Sequence, residues 1–527
     1  MDENGWEPAR LIPVSGISGA EEQERRGASA LMAVLSSVRE FGRAITGPLG
    51  APAGTVSTFI EVPFALGDRE VRPDGLIRVS RGSRSWTALV EVKTGRNDLQ
   101  PAQLESYLDV AREQQFDVLL TISNQLVIAP GEHPTLVDKK KLKKVSLQHL
   151  SWSQIHTEAV IQRVNRSVAD PDQAWILAEL IRYLEHPRSG AVDFDDMGPS
   201  WVTVRDGVAN RTLRGSDKGA GDVVGRFGQL VSFAGMRLSR TLGVDVRSAM
   251  SRAEMKDIGA YTQTGVAKLI ETGILSGALR VPNAAAPFDI TADLRSGLIT
   301  CSIGVDAPGQ GRNSTRINWL TRQLGKAPEA LLVEAWAAWA RAPGPCHTIN
   351  RVREKPEVLL DDPKKELRSF TVRLSAVAGT KRGQGRGSFV GSVLALVDSF
   401  YENVVQHIKP WTPPAPTVKG RQIGEDSSSS DDGIAGELPL KSVQRATSAP
   451  EWHPDAPSEA VEEAADALEY AISADDLADM EDENEAPANS SDRAQSLQVE
   501  VHRPDSPPDG QTDEPRPMVS LNGGTPA

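Results

Sequence analysis

Hydrophobic positions follow two different periods along the first third of the chain. Leu31, Leu35, Val38, Phe41 and Ile45 recur at helical spacing and predict a first helix with one buried face. Ser18 and Glu21 ahead of them have capping-box spacing. Three β-rich runs follow, STFIEVPFAL (57–66), EVRPDGLIRV (70–79) and WTALVEVKT (86–94), separated by Gly, Asp, Ser and Arg clusters. QPAQLESYLDVAREQQ (100–115) predicts a second helix, with Pro101 in its first turn and Leu104, Leu108 and Ala111 on one face. DVLLTIS (117–123) is a short strand of the buried type. The order α, β, β, β, α, β predicts an α/β domain over residues 1–165.

Beyond it, residues 166–285 read as mainly helical, as in AWILAELIRYLEH and GAYTQTGVAKLIETG, interrupted by the glycine-rich RGSDKGAGDVVGRFG at 214–228. This stretch is expected to connect domains. Residues 286–411 open with strand-like FDITADLRSGLITCSIGV, continue with RINWLTRQL and ALLVEAWAAWARA, and close with SFTVRLSAVAG and an amphipathic helix over 388–408, which predicts a small α+β domain. Residues 412–527 are rich in Pro, Ser, Asp and Glu and predict a disordered acidic tail, since such a composition buries too little apolar surface to offset its ordering entropy. Within the tail, SEAVEEAADALEYAISADDLADM (458–480) repeats apolar residues near helical spacing. It is either a solvated acidic linker or a segment that docks on a protein partner or on the body of the chain itself.

The formal charge changes how the body is read. The whole chain carries -13, but from Trp411 to Ala527 stand 25 acidic and 7 basic residues, which leaves residues 1–410 at +5. A mildly basic body suits a polyanionic partner. The two cysteines, Cys301 and Cys346, are too few for a disulfide framework or a four-thiolate zinc site and suggest a reducing compartment. The N-terminus has no basic stretch followed by an apolar run, and the richest apolar window, ALLVEAWAAWA (330–340), is short and contains Glu334. A cytoplasmic protein without a membrane partner is the expectation.

Candidate chemistry sits in VRPDGLIRVSRGSRSWTALVEVKTG (71–95). Side chains alternate across a strand, so Glu91 and Lys93 leave on the same face. Pairing of the two flanking runs around SRGSRS lets Asp74 approach Glu91. Two carboxylates, completed by water and phosphate oxygens, form a hard oxygen site suited to Mg²⁺ or Mn²⁺, and Lys93 adds a positive charge beside it. The chain holds five Pro-Asp pairs and a second Glu-x-Lys at Glu254 and Lys256. Only Pro73-Asp74 and Glu91-Val92-Lys93 lie on adjacent strand candidates framed by helices.

That arrangement resembles the PD-(D/E)XK nuclease superfamily over about residues 15–125. The resemblance implies a restriction-endonuclease-like core, Asp74 and Glu91 as metal ligands, and Lys93 as the catalytic lysine. Gln103 and Tyr107 match the Gln-x-x-x-Tyr spacing of the helix after the catalytic strand in the branch related to bacterial recombination nucleases. The superfamily often has a further glutamate on the first helix, here Glu21 or Glu22, and capping competes for Glu21, which favours Glu22. The implied activity is Mg²⁺-dependent hydrolysis of DNA, with RNA the other nucleic-acid substrate. By analogy of fold it belongs to genome defence or a stress response. The alternative is a catalytically inactive protein of the same fold that binds nucleic acid or acts as a scaffold.

Other motifs are less specific. DKKKLKK (138–144) suits phosphate contacts or is a solvated loop. TKRGQGRGS (380–388) offers amides, Lys381, Arg382 and Arg386 to an anion but lacks the Gly-Lys-Ser/Thr of a P-loop. Arg312, Arg316 and Arg322 surround Trp319 in a third basic stretch, and His149 and His156 read as packed histidines.

Overall fold

The apolar repeat between residues 31 and 45 builds one core with two helices. In a computed structural model describing residues 11–14, 17 and 19–412, α1 (Ala20–Ser37) and α2 (Arg39–Thr46) are separated by Val38, whose backbone is extended. Leu31, Leu35, Val38, Phe41 and Ile45 are all buried. The junction is tight because Gly42 packs on the carbonyl of Leu35, where an added Cβ would lie 2.4 Å from the oxygen. The expected capping box is not what starts α1: its N-cap is Gly19, without a side-chain cap, and Ser18 lies outside the described residues.

The three expected strands become five short ones. β1 (Thr55–Ile60) ends where Glu61 takes a left-handed φ of 50°, ahead of Pro63. β2 (Phe64–Leu66) and β3 (Arg69–Val71) form a separate hairpin. Pro73 then divides β3 from β4 (Gly75–Arg81), because a proline cannot donate to a strand ladder. β5 (Arg84–Val92) follows a turn at Gly82 (φ 56°). After α3 (Pro101–Glu113), β6 (Val118–Ser123) and β7 (Ser146–Ser151) complete a sheet in the order β1-β4-β5-β6-β7. β5–β6 and β6–β7 are parallel, and the other neighbours are antiparallel. One face of the sheet buries Ala88, Val90, Val92, Leu120 and Ile122 with α1, α2, α4 (Trp152–Ile161) and α5 (Pro171–Glu185). The other buries Leu76, Leu89 and Leu119 under α3.

The second half is built on α6 (Trp201–Ala209), α7 (Lys218–Leu242), β8 (Arg247–Ser248), α8 (Arg252–Lys256), α9 (Ile258–Thr272), β9 (Ile274–Arg280), β10 (Phe288–Asp293) and β11 (Leu298–Asp306). α10 (Asn313–Gln323), β12 (Leu332–Ala337), β13 (Cys346–Thr348), α11 (Ile349–Glu354), β14 (Leu367–Val377) and α12 (Phe389–Asn403) complete it. Its sheet is antiparallel in the order β13-β12-β14-β11-β10-β9-β8. The boundary expected near residue 285 therefore falls between two paired strands, β9 and β10. The region read as mainly helical contributes β8 and β9 to this sheet. Its helices divide: α5 buries Leu177, Leu180 and Tyr183 in the first core, while α6, α7 and α9 join the second. The glycine-rich stretch at 214–228 is mostly the start of α7, where Gly228 lets Ile128 pack against the helix backbone. The expected helix over 388–408 ends at Asn403. Strand alternation sets the second core: Ile299, Cys301, Ile303 and Val305 point inward, with Thr300 and Ser302 on the opposite face. Among the described residues no helix is long and apolar enough to cross a membrane.

Two glycines test this packing. Gly42→Ala is expected to lower stability by about 1–3 kcal/mol because of the clash at Leu35. Gly225→Ala, in the interior of α7 with nothing within 4 Å of the new Cβ, is expected to raise it by about 0.5–1 kcal/mol. Urea denaturation of the two variants checks both signs.

Candidate active site

β5 places the central residues. Every residue of this strand from Trp86 to Val92 is buried, and Glu91 is 1% exposed. Glu91 shares the α3-side face with Leu89, one step closer to the C-terminal ends of the parallel strands, where ligand sites of such sheets lie. Lys93 follows on the same face, and its Nζ lies 2.7 Å from Glu91 Oε1. Pairing of Gly75 with Val90 brings Asp74 alongside. Asp74 Oδ2 accepts the Val92 amide at 2.7 Å, which ties its carboxylate to β5. The Lys93 backbone is held from two sides: its amide donates to Ile122 at 2.7 Å, and its carbonyl accepts Trp152 Nε1–H at 2.9 Å.

Electrostatics in this group oppose one another. Burial, followed by the charge of Asp74, pushes the Glu91 carboxyl up to about 8, and Lys93 only partly offsets this. Asp74 is raised for the same leading reason, burial, against the Val92 amide and Lys93. Burial works to lower the Lys93 ammonium, but the charges of Glu91, Glu24 and Asp74 outweigh it and raise its pKa. The Lys93 ammonium is the group that meets Glu91 Oε1, at 2.7 Å, inside the sheet.

The helix acid that reaches this group is Glu24, which the sequence reading missed. Its Oε2 lies 3.3 Å from Lys93 Nζ, and its Oε1 accepts Asn97 Nδ2–H at 2.6 Å. Glu22 is paired with Arg26 at 2.6 Å, and Glu21 with Arg25. Two residues along a helix turn by about 200°, so Glu22 and Glu24 leave on opposite faces. The signal available in the sequence was that Glu24, Ala28 and Leu31 share the inward stripe. Gln103 and Tyr107 come together: Gln103 Nε2–H donates to the Tyr107 hydroxyl at 3.2 Å, and that hydroxyl donates to the Arg72 carbonyl at 3.1 Å. Burial and then the Glu91 charge push Tyr107 up to about 12, so it remains a donor and anchors the segment leading into Asp74.

A neutral polar row continues beside Glu91. Glu91, Thr121 and His149 are in register across β5, β6 and β7. Thr121 Oγ1 lies 2.9 Å from both His133 Nε2 and His149 Nδ1, and His149 Nε2 is 2.9 Å from the Gln125 carbonyl. Thr121 thus bridges the two rings, while His133 Nδ1 lies 2.8 Å from the Thr135 carbonyl and 3.0 Å from its amide. Burial holds both rings neutral, His149 at about 4. They brace the strand ends as packed histidines.

The other candidates are tied into the fold. Lys141 of the lysine run pairs with Asp109 at 2.6 Å, while Lys139, Lys140, Lys143 and Lys144 are exposed. In the 380–388 loop, Arg382 pairs with Asp196 and Gln384 donates to Asp195. Arg316 is buried and bonded to Glu366 and the Leu367 carbonyl, and Trp319 packs against the second core. The amphipathic segment 458–480 lies outside the described residues. Cys301 is buried and Cys346 exposed, both free.

Comparison with family models, with curated proteins and with solved structures finds no match to this chain. Among the described residues no three His, Cys, Asp or Glu side chains are arranged to hold a metal. What Asp74 and Glu91 offer is a pair of neighbouring carboxylates, Glu91 buried and Asp74 partly so. Such a set fits Mg²⁺, which keeps several waters and takes only one or two carboxylates. It does not fit a closed all-protein cage.

The sign of the Glu91 contribution follows from its raised folded value. Glu91 favours the fold below about 4.5, its value when unfolded, and that contribution is lost as pH rises towards and through about 8. Relative to Glu91→Gln, the wild-type protein is expected to lose roughly 3–4 kcal/mol between pH 5 and pH 9. Urea denaturation at the two pH values checks this, and parallel curves for both proteins would contradict it.

Proposed function

We propose that the protein is a Mg²⁺-dependent nuclease that hydrolyses DNA phosphodiester bonds, with Asp74, Glu91 and Lys93 at its centre and a restriction-endonuclease-like first domain. The observation that carries this reading is the convergence of a fully buried carboxyl, Glu91, a partly buried one, Asp74, and the Lys93 ammonium 2.7 Å from Glu91 at the carboxyl ends of parallel strands. An ion pair serving only stability would place these charges at the surface, where their desolvation cost is small.

Held by Asp74 and Glu91, Mg²⁺ or Mn²⁺ would supply Lewis-acid polarisation of the phosphodiester and a more acidic water. The chain's own residues account for the rest. Asp74 keeps one oxygen on the Val92 amide and presents the other to the site. Lys93 stays protonated, so its role is to stabilise the negative charge that develops on phosphorus-bound oxygens, not to remove a proton. Glu24 and Asn97 hold that ammonium in place. Gln103 and Tyr107 orient the Arg72–Asp74 segment.

Incubation with linear, circular and single-stranded DNA in Mg²⁺ or Mn²⁺ tests the proposal. Asp74→Asn, Glu91→Gln and Lys93→Ala are each expected to reduce cleavage at least about 100-fold while the fold survives, as expected for loss of a transition-state contact. Equal cleavage by wild type and the Asp74 variant would remove the assignment. Salt-sensitive DNA binding with no cleavage would favour the non-catalytic binding protein.

A further inference from the structure

At the far end of β1 and β4 from Asp74, a cleft of about 570 Å³ opens between the α1–α2 junction, residues 53–56 and Ser80–Arg81. Arg39, Arg43 and Arg81 line it together with Ser37, Thr55 and Ser80, and none of its lining residues is acidic. All three arginines are exposed, and among the described residues none of their side chains makes an ion pair or a hydrogen bond. Other arginines of the fold are held by carboxylates, as with Arg182 and Glu179 or Arg373 and Glu334. The walls of the cleft are set by backbone contacts. Gly54 lies so close to the Ser80 carbonyl that a Cβ would sit 2.3 Å from it, and Gly42 presses α2 onto α1.

We propose that this cleft is a phosphate-binding site that takes the backbone of the same DNA duplex whose scissile phosphodiester lies at Asp74 and Glu91. The proposal rests on the nuclease reading for that second contact. The seven residues of β4 separate the two sites by about 20 Å at roughly 3.3 Å per residue, which is the length of about six base pairs at 3.4 Å each. Between them runs the β1 edge, Thr55–Ile60, which carries no charge to repel a polyanion and whose residues are all at least partly exposed. Guanidinium forks match phosphate oxygens, and contacts of this kind position a duplex without reading its sequence.

The experiment measures fluorescence anisotropy of the full chain in EDTA, so that binding is read without cleavage. The probes are labelled hairpin duplexes with stems of about four and about twelve base pairs. The triple variant Arg39→Gln, Arg43→Gln, Arg81→Gln is expected to weaken binding of the long stem by about 10- to 100-fold near 0.1 M salt. It should also flatten the slope of log K against log salt by about two to three. Binding of the short stem, which cannot span both sites, should fall less than that of the long stem, and the Arg→Lys triple, which keeps the charges, should retain the slope. Unchanged affinity and slope for the long stem would overturn the proposal. Inorganic phosphate, titrated by calorimetry, separates the sources: phosphate binding that needs the three arginines, without any effect on DNA, would make this a site for a free phosphate and also overturn it. If the wild type fails to cleave in Mg²⁺ while the triple variant still loses the long stem, the nuclease reading falls and the cleft stands. Intact cleavage with unchanged binding gives the reverse.

Discussion

The placement of β5 governs the rest of the first half. This strand is paired on both edges, antiparallel to β4 and parallel to β6, and covered on both faces by helices. A residue near the end of such a strand has no route to water except along the strand direction. Glu91 is that residue, and its charge must be met by Lys93 and opposed by Asp74 inside the same small volume. The neighbouring features follow from the same constraint: the Val92 amide on Asp74, the Trp152 and Ile122 contacts that hold Lys93, and the Glu24–Asn97 pair that balances the ammonium.

This arrangement works against stability, which argues that it is kept for another purpose. A buried carboxyl beside a second one costs free energy that an isosteric amide would avoid. The surrounding structure over-determines the site: cores lie on both faces of the sheet, and the Thr121–His149–His133 row fastens the ends of β6 and β7. Strain concentrated where the scaffold is most rigid is a common property of reactive centres.

The second half meets the first through α7, which carries the core of the antiparallel sheet on one side and accepts Leu126 and Ile128, from the loop after β6, on another. Gln229 and Ser232 of α7 bond the Leu126 and Ile128 carbonyls. The loop that closes the polar row beside Glu91 is therefore seated on the helix that organises the other sheet. This gives the two halves a shared structural element close to the candidate site.

Local pattern in the sequence was sufficient for the order of helices and strands in the first half and for the same-face relation of Glu91 and Lys93, because alternation along a strand is a property of the backbone alone. It was sufficient too for the Gln103 and Tyr107 pairing, since residues four apart on a helix are neighbours whatever surrounds them. Breaks were less legible. Val38 ends α1 within an unbroken apolar repeat, and the glycines at 214–228 read as an interruption of the helical pattern although Gly228 serves close helix packing. β9 looked like part of a helical region because a strand is recognised by its partners, and its partner β10 follows only after a turn. Glu24 was indistinguishable from Glu21 and Glu22 by composition; its place on the stripe of Ala28 and Leu31 was the local signal, and the docking of α1 on the sheet is what brings that stripe to Lys93. The burial of Glu91, and with it the raised carboxyl, belongs to the tertiary structure for the same reason: exposure is decided by which helices cover the strand, and those come from segments far along the chain.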